Sequence, residues 1–220
     1  DAAYVHITSN ETIQGVQFPT FPDVGERPLV ADMSSDILSR PIDASKFALI
    51  YAGAQKNLGP SGVTVVLIRQ SWLDTAAKTP PTMLRYSTHA KNNSLYNTPP
   101  VFGVYMLNLV LEWIEENGGV EGMAARNEQK AALIYKAIDG SNGFYRGHAT
   151  PADRSRMNVT FRLPSEALEK QFVADSVAAN MVGTARKKEN SAAVRGESPC
   201  VRPPMMVAAE RLTPGTMEIT

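Results

Sequence analysis

The sequence predicts an α/β fold: a mostly parallel sheet flanked by helices, followed by a smaller α+β unit. Three observations carry this. Three apolar or β-branched runs, Pro28 to Ala31, Phe47 to Tyr51 and Val63 to Ile68, lie close together and are bounded by Gly, Pro, Asp and Ser, as strands are. The run Val63-Thr64-Val65-Val66-Leu67-Ile68 is apolar on both alternating faces, which suits a strand covered by helices on either side. A helical period then takes over at Asn97.

The elements follow in order. Asp1-Ala2-Ala3-Tyr4-Val5-His6-Ile7 reads like the interior of a domain already under way, so the natural chain is expected to start earlier. After the three strands, Thr98 is placed to cap a helix and Pro99 to occupy its first turn, where no N–H is needed. Phe102, Met106, Leu109, Val110, Trp113 and Ile114 follow at helical spacing, and Asn117-Gly118-Gly119 ends the helix, because glycine enters the left-handed region freely. A second helix is expected over 120–138, before Asp139-Gly140. Beyond the turn-rich stretch 140–153, Met157, Val159, Phe161 and Leu163 alternate with Asn158, Thr160 and Arg162, the pattern of a half-buried strand. Ser165 is placed to cap a helix whose first turn carries Glu166 and Glu169, favourably for the helix dipole. The boundary is set at Gly118-Gly119, giving a larger unit, 1–118, and a smaller one, 119–220.

Composition narrows the function. The 220 residues carry 22 basic and 22 acidic side chains, so no basic excess points to nucleic acid or a membrane surface. The one short basic run, Arg186-Lys187-Lys188, reads as a solvated loop. Cys200 is the only cysteine and cannot form an internal disulfide; with His6, His89 and His148 as the imidazoles, no metal-ligand spacing is present. A reducing, cytoplasmic setting fits. No apolar stretch approaches the ~20 residues of a membrane helix, and no basic segment followed by an apolar run opens the chain.

The chemically informative segment is Tyr51-Ala52-Gly53-Ala54-Gln55-Lys56-Asn57-Leu58-Gly59-Pro60. A lysine directly after an apolar strand and beside small residues can be partly desolvated, which disfavours the ammonium and makes the amine a usable nucleophile, able to form a Schiff base. Upstream, Asp32 ends the apolar run Pro28-Leu29-Val30-Ala31, so two neighbouring strands can deliver polar residues to one sheet edge, where ligands of open α/β sheets bind. A carboxylate there can face the ring nitrogen of a pyridoxal cofactor, whose protonated ring is an electron sink. Taken singly, each has a simpler reading: an exposed lysine entering a turn, and an aspartate capping one.

Taken together, Asn10-Glu11-Thr12-Ile13-Gln14-Gly15, Ala31-Asp32-Met33-Ser34-Ser35, Ala52-Gly53-Ala54-Gln55-Lys56-Asn57 and Tyr96-Asn97-Thr98-Pro99-Pro100 resemble, in order and spacing, the phosphoserine aminotransferases, class V pyridoxal-phosphate enzymes of fold type I. The likeness continues through Leu111-Glu112-Trp113-Ile114, Gly118-Gly119, Tyr135, Ile138-Asp139 and Arg154-Ser155-Arg156-Met157-Asn158, from near residue 4 to about residue 182. It implies that 1–118 is part of the large cofactor-binding domain and that the family's N-terminal third is absent. It implies pyridoxal 5′-phosphate as cofactor, Lys56 as the Schiff-base and catalytic residue, Asp32 against the ring nitrogen, Thr12 near the ring and Gln55 at the cofactor phosphate. Asn97 and Thr98 would reach the phosphate of the partner subunit's cofactor, which requires a homodimer. The implied reaction exchanges an amino group between L-glutamate and 3-phosphohydroxypyruvate, in serine biosynthesis, with a phosphorylated hydroxythreonine of pyridoxine biosynthesis as a second substrate. The alternatives are another pyridoxal-phosphate enzyme of the same fold and an inactive fragment without cofactor.

The resemblance breaks near 183–200. The family has glycine-histidine-arginine and then a glycine-rich arginine segment that binds the substrate carboxylate; this chain has Gly183-Thr184-Ala185-Arg186-Lys187-Lys188 and Ala192-Ala193-Val194-Arg195-Gly196. Arg195 is the candidate for the second arginine. Similarity returns at Val207-Ala208-Ala209-Glu210-Arg211-Leu212, which leaves a diverged loop or a shifted reading frame between. Pro199, Pro203, Pro204 and Pro214 predict poor folding there.

Overall fold

The computed structural model describes residues 2–181 and the backbone of 205–208. Its strands, in chain order, are β1 (Val5–Thr8), β2 (Asn10–Glu11), β3 (Val16–Gln17), β4 (Leu29–Asp32), β5 (Leu49–Gly53), β6 (Thr64–Ile68), β7 (Arg146–Gly147), β8 (Phe161–Arg162) and β9 (Met205–Ala208). The helices are α1 (Gln70–Asp74), α2 (Tyr86–Lys91), α3 (Val101–Glu116), α4 (Gly119–Asp139) and α5 (Glu166–Ala178). The three predicted runs become β4, β5 and β6, at the centre of a sheet ordered β1-β4-β5-β6-β9. β1 runs parallel to β4, β4 to β5 and β6 to β9, while β5 and β6 are antiparallel. The sheet is thus mostly parallel, as expected, and β9 draws a stretch beyond residue 200 into it.

Both faces of the three central strands β4, β5 and β6 are covered, which explains why their apolar runs do not alternate cleanly with polar residues. On one side Leu29, Ala31, Phe47, Ile50, Ala52 and Val63 meet Val104, Leu107 and Leu111 of α3. On the other, Val30, Leu49, Val66 and Ile68 meet Leu73 and Trp72 of α1 and Tyr86 and Ala90 of α2. Each such fully buried large apolar side chain contributes about 1.5–3 kcal/mol.

Two expectations are corrected, and two features were not foreseen. Thr98 does not cap α3: the helix starts at Val101 with Pro100 at its cap position and no side-chain cap, because the Pro99-Pro100 pair delays helical geometry by two residues. The helical spacing of Phe102 to Ile114 holds, and along α3 Phe102, Leu109 and Trp113 are exposed with Val101 and Tyr105, Phe102 by 71%, so the apolar surface of α3 is wider than the sheet it covers. The alternation from Met157 to Leu163 yields only β8, paired with β7. Earlier in that stretch Ser155 Oγ accepts from the amides of Met157 and Asn158, each at 3.0 Å, and this turn replaces strand pairing. Finally, β1, β2, β3, β7, β9, α1 and α2 were not foreseen as elements.

Other expectations hold. Gly118, at φ +91, follows the end of α3, α4 spans the predicted second helix, and the Ser165 hydroxyl caps α5 by accepting from the Leu168 amide. The substitutes for the substrate segment, Arg195 among them, lie outside the described residues. No helix among the described residues is long and apolar enough to cross a membrane.

Candidate active site

β4 and β5 run parallel and side by side, with Asp32 in register with Tyr51. Asp32 is the last residue of β4, and Lys56 stands three residues past Gly53, the last of β5. The two candidates therefore issue from the same edge of the sheet. The segment after β5 closes into a turn in which the Leu58 and Gly59 amides donate to the Ala54 carbonyl at 3.0 and 2.9 Å. Ala54 and Leu58 are buried under it, which leaves Gln55 and Lys56 on the outer side. Both are exposed: the described residues do not cover the Lys56 amine, and the expected desolvation is not found. Lys56 Nζ donates to the Thr12 hydroxyl at 3.5 Å, across the turn joining β2 and β3.

Asp32 is half-buried, and its Oδ1 accepts from the Ser34 amide at 2.8 Å. The Ser34 hydroxyl accepts from the Gly53 amide at 3.0 Å, tying the end of β5 to the end of β4. The turn-capping reading of Asp32 is thus correct, and it orients the carboxylate rather than consuming it, because a carboxylate has about four acceptor sites. The Gln55 amide lies over Gly53: a Cβ on Gly53 would come within 2.7 Å of Gln55 Oε1, so the glycine makes room for that side chain.

Asn57, next to Lys56, donates to the Ile37 carbonyl at 2.6 Å, and Asn127 of α4 donates to the Ser39 carbonyl at 3.0 Å. Between those carbonyls Leu38 sits at φ +58, a left-handed conformation disfavoured for a leucine. Such a residue costs about 1–3 kcal/mol, and the two asparagines clamp it from either side.

Beneath this edge lies a buried polar layer. Asp36 accepts from the Ser9 hydroxyl and, at 3.0 Å, from the Gln17 amide. Burial pushes its carboxyl above the ordinary range, and these two hydrogen bonds and Arg40 only partly oppose that. Beside it, the Asn10 amide donates to Ser35 Oγ at 2.9 Å and to Asn158 Oδ1 at 2.8 Å, while Asn10 Oδ1 accepts from Ser155 Oγ. The Ser155 amide donates to the Gly15 carbonyl at 2.9 Å, so residues 155–158 are fastened to the β2–β3 hairpin that carries Thr12.

Asn97 and Thr98 are exposed just ahead of α3, and no hydrogen bond joins them to Lys56, Asp32 or Thr12 among the described residues. No group of three or more His, Cys, Asp and Glu is placed to hold a metal among the described residues. Two residues at the site escaped the sequence reading. Tyr51 was counted within an apolar run, yet its register brings it beside Asp32. His6 Nε2 lies 3.1 Å from the Tyr51 hydroxyl, the two rings stacked with centroids 5.9 Å apart. Their signal, a polar-tipped residue in a strand, becomes legible only once the strands are aligned.

The family model described as aminotransferase class-V matches residues 1–210. The phosphoserine aminotransferase of Herpetosiphon aurantiacus is 68% identical over 180 residues, which are 82% of this chain and 50% of that protein. Among solved structures, the phosphoserine aminotransferase of Bacillus circulans subsp. alkalophilus matches with a TM-score of 0.83 and 61% identity, over 86% of this chain and 52% of the other. The pyridoxal-phosphate-bound enzyme of Trichomonas vaginalis matches with a TM-score of 0.79 and 39% identity, over 86% of this chain and 53% of the other. The chain spans about half the length of the curated relatives it matches.

Proposed function

The chain belongs to the class-V aminotransferase family, and on that premise we propose that it is part of a pyridoxal 5′-phosphate enzyme exchanging an amino group between L-glutamate and 3-phosphohydroxypyruvate, to give 2-oxoglutarate and O-phospho-L-serine. The observation that carries this reading is the delivery of Lys56 and Asp32 to one edge of the sheet by neighbouring parallel strands, with the Thr12 hydroxyl against the lysine. The donor set suits the cofactor: an amine for its aldehyde, a carboxylate for its ring nitrogen, the Thr12 hydroxyl near its ring and the Gln55 amide for its phosphate. When bound, that group supplies an electron sink for the bond at the substrate α-carbon.

Lys56 is proposed to act twice. Its amine would hold the cofactor through the aldehyde and, once freed, would carry the proton to and from the substrate α-carbon. Asp32, fixed by the Ser34 amide, would present its side-chain oxygens to the ring nitrogen. Asn97 and Thr98 would reach the cofactor phosphate of a second copy, and the exposed Val101, Phe102, Tyr105 and Trp113 on α3 support a homodimer. Serine biosynthesis in the cytoplasm is the implied setting. We also divide the chain at Gly118-Gly119, into the larger unit 1–118 and the smaller unit 119–220, a division that limited proteolysis between α3 and α4 would reveal.

The test uses the chain completed with the residues of the Herpetosiphon relative that the match does not cover. A yellow protein is expected, in which borohydride fixes the cofactor to the Lys56 peptide and glutamate converts 3-phosphohydroxypyruvate to phosphoserine. Acceptance of an unphosphorylated oxo acid instead would reject the substrate assignment while keeping the cofactor. Failure to take up any cofactor would reject the whole reading.

A further inference from the structure

On the sheet face shared with Asp32, three strands place a row of polar side chains. In the parallel registers His6 lies opposite Val30, Thr8 opposite Asp32, and Asp32 opposite Tyr51, so His6, Asp32 and Tyr51 project to the same side. The Tyr51 hydroxyl meets His6 Nε2 at 3.1 Å, and the stacked rings fix its direction. Tyr51 packs against the cluster of Val30, Leu49 and Val66, which holds its ring in place. Its phenol is pushed up to about 12, first by burial and then by the neighbouring Asp32 carboxylate; Tyr86 and Tyr4 add smaller effects. A phenol so placed is a durable donor at neutral pH.

We propose that Tyr51, steadied by His6, is a positioning residue for Asp32, its hydroxyl donating to the carboxylate and holding the carboxylate plane toward the cofactor ring nitrogen. The Ser34 amide holds Oδ1 from the chain itself, and Tyr51 supplies a second constraint from the neighbouring strand. Two constraints, one from the turn after β4 and one from β5, would fix the carboxylate where one would leave it free to rotate. The imidazole donates through Nε2–H to the phenol oxygen, leaving the phenol proton for Asp32. The inference rests on the reading of Asp32 given under the proposed function.

The experiment loads the completed chain with pyridoxal phosphate labelled with 15N in the ring and records the ring-nitrogen chemical shift and the cofactor dissociation constant for Tyr51→Phe, His6→Phe and Asp32→Asn. Tyr51→Phe keeps the ring and loses only the hydroxyl. It is expected to move the shift toward the unprotonated value and to weaken cofactor binding on the order of tenfold, the fold-change of one lost hydrogen bond to a charged group. His6→Phe keeps the stack and should move both readouts less, in the same direction. Wild-type values in Tyr51→Phe beside a displaced Asp32→Asn overturn the inference alone. Wild-type values in Asp32→Asn overturn the reading of Asp32, and this inference with it. Should Tyr51→Phe not fold, as judged by circular dichroism, His6→Phe decides: movement of both readouts supports the inference, and unchanged values overturn it.

Discussion

Lys56 and Ser155 stand at opposite extremes of solvent contact: the lysine is exposed on a turn, whereas the serine is completely buried and bonded to Asn10, Met157 and Asn158. Around Lys56 and Asp32 the reactive groups face outward and owe their placement to the apolar strands behind them, where Leu29, Ala31, Leu49 and Ile50 are buried. Around Ser155 the polar groups face one another and fasten residues 155–158 to Asn10, about 145 positions earlier in the chain. The groups proposed to carry chemistry are left uncovered on a rigid support. The union of distant segments is carried by covered groups that satisfy each other, and a network of that kind loses heavily when one member is removed.

The largest expected effect lies on the exposed side. Lys56→Ala in the completed chain should abolish the borohydride-stable adduct entirely, by mass spectrometry, while leaving stability within about 0.5 kcal/mol, as surface changes do. On the buried side, Asn10→Ala should cost about 3 kcal/mol in urea unfolding, because it takes the acceptor from the Ser155 hydroxyl proton and the donor from Asn158 Oδ1. A loss below 0.5 kcal/mol would erase the contrast between the two regions. Asn127→Ala is expected to cost about 2 kcal/mol in thermal unfolding, since it removes the bond to the Ser39 carbonyl and loosens the clamp on Leu38.

A pH test sharpens the comparison further. The Asp36 carboxyl is raised above its ordinary value of 3.8, chiefly by burial. The folded chain therefore holds that proton more tightly than the unfolded one. Its contribution to stability is fully present below 3.8 and is lost as pH rises through the raised value. Asp43, Asp139 and Glu169 are lowered, mainly by hydrogen bonds from Ser45, Arg154 and Arg162 respectively, and contribute in the opposite direction. The difference in unfolding free energy between Asp36→Asn and the unaltered chain should thus change with pH across the acid range; a constant difference would show that Asp36 is not so perturbed. Smallest of all, Gly53→Ala should shift the Gln55 amide and lower cofactor affinity by a few-fold at most, because the atom it meets is the far end of a flexible side chain.

Much of this architecture could be read before any coordinates. The three central strands, the ends of α3 and α4 and the Ser165 cap are local matters of apolar run, glycine freedom and side-chain capping, each decided within a few residues. The start of α3 was misread because two adjacent prolines outweigh one threonine. The outward apolar face of α3 was not legible, because a helical period shows which residues are apolar, not how many of them the sheet has room to cover. The alternation over 157–163 was overruled by Ser155, whose hydroxyl offers the backbone a competing turn.

By itself, the sequence determined that Lys56 and Asp32 close two buried strands and that the motifs around them belong together. Only the tertiary structure decided which side chains accompany them: Tyr51 beside Asp32, His6 behind Tyr51, Asn57 and Asn127 on either side of Leu38, and Ser155 on Asn10. The physical reason is register. A strand declares its own alternation, but which residue of the next strand stands opposite is settled by the packing of both faces of the sheet, and a shift of one position would have turned Tyr51 away from Asp32.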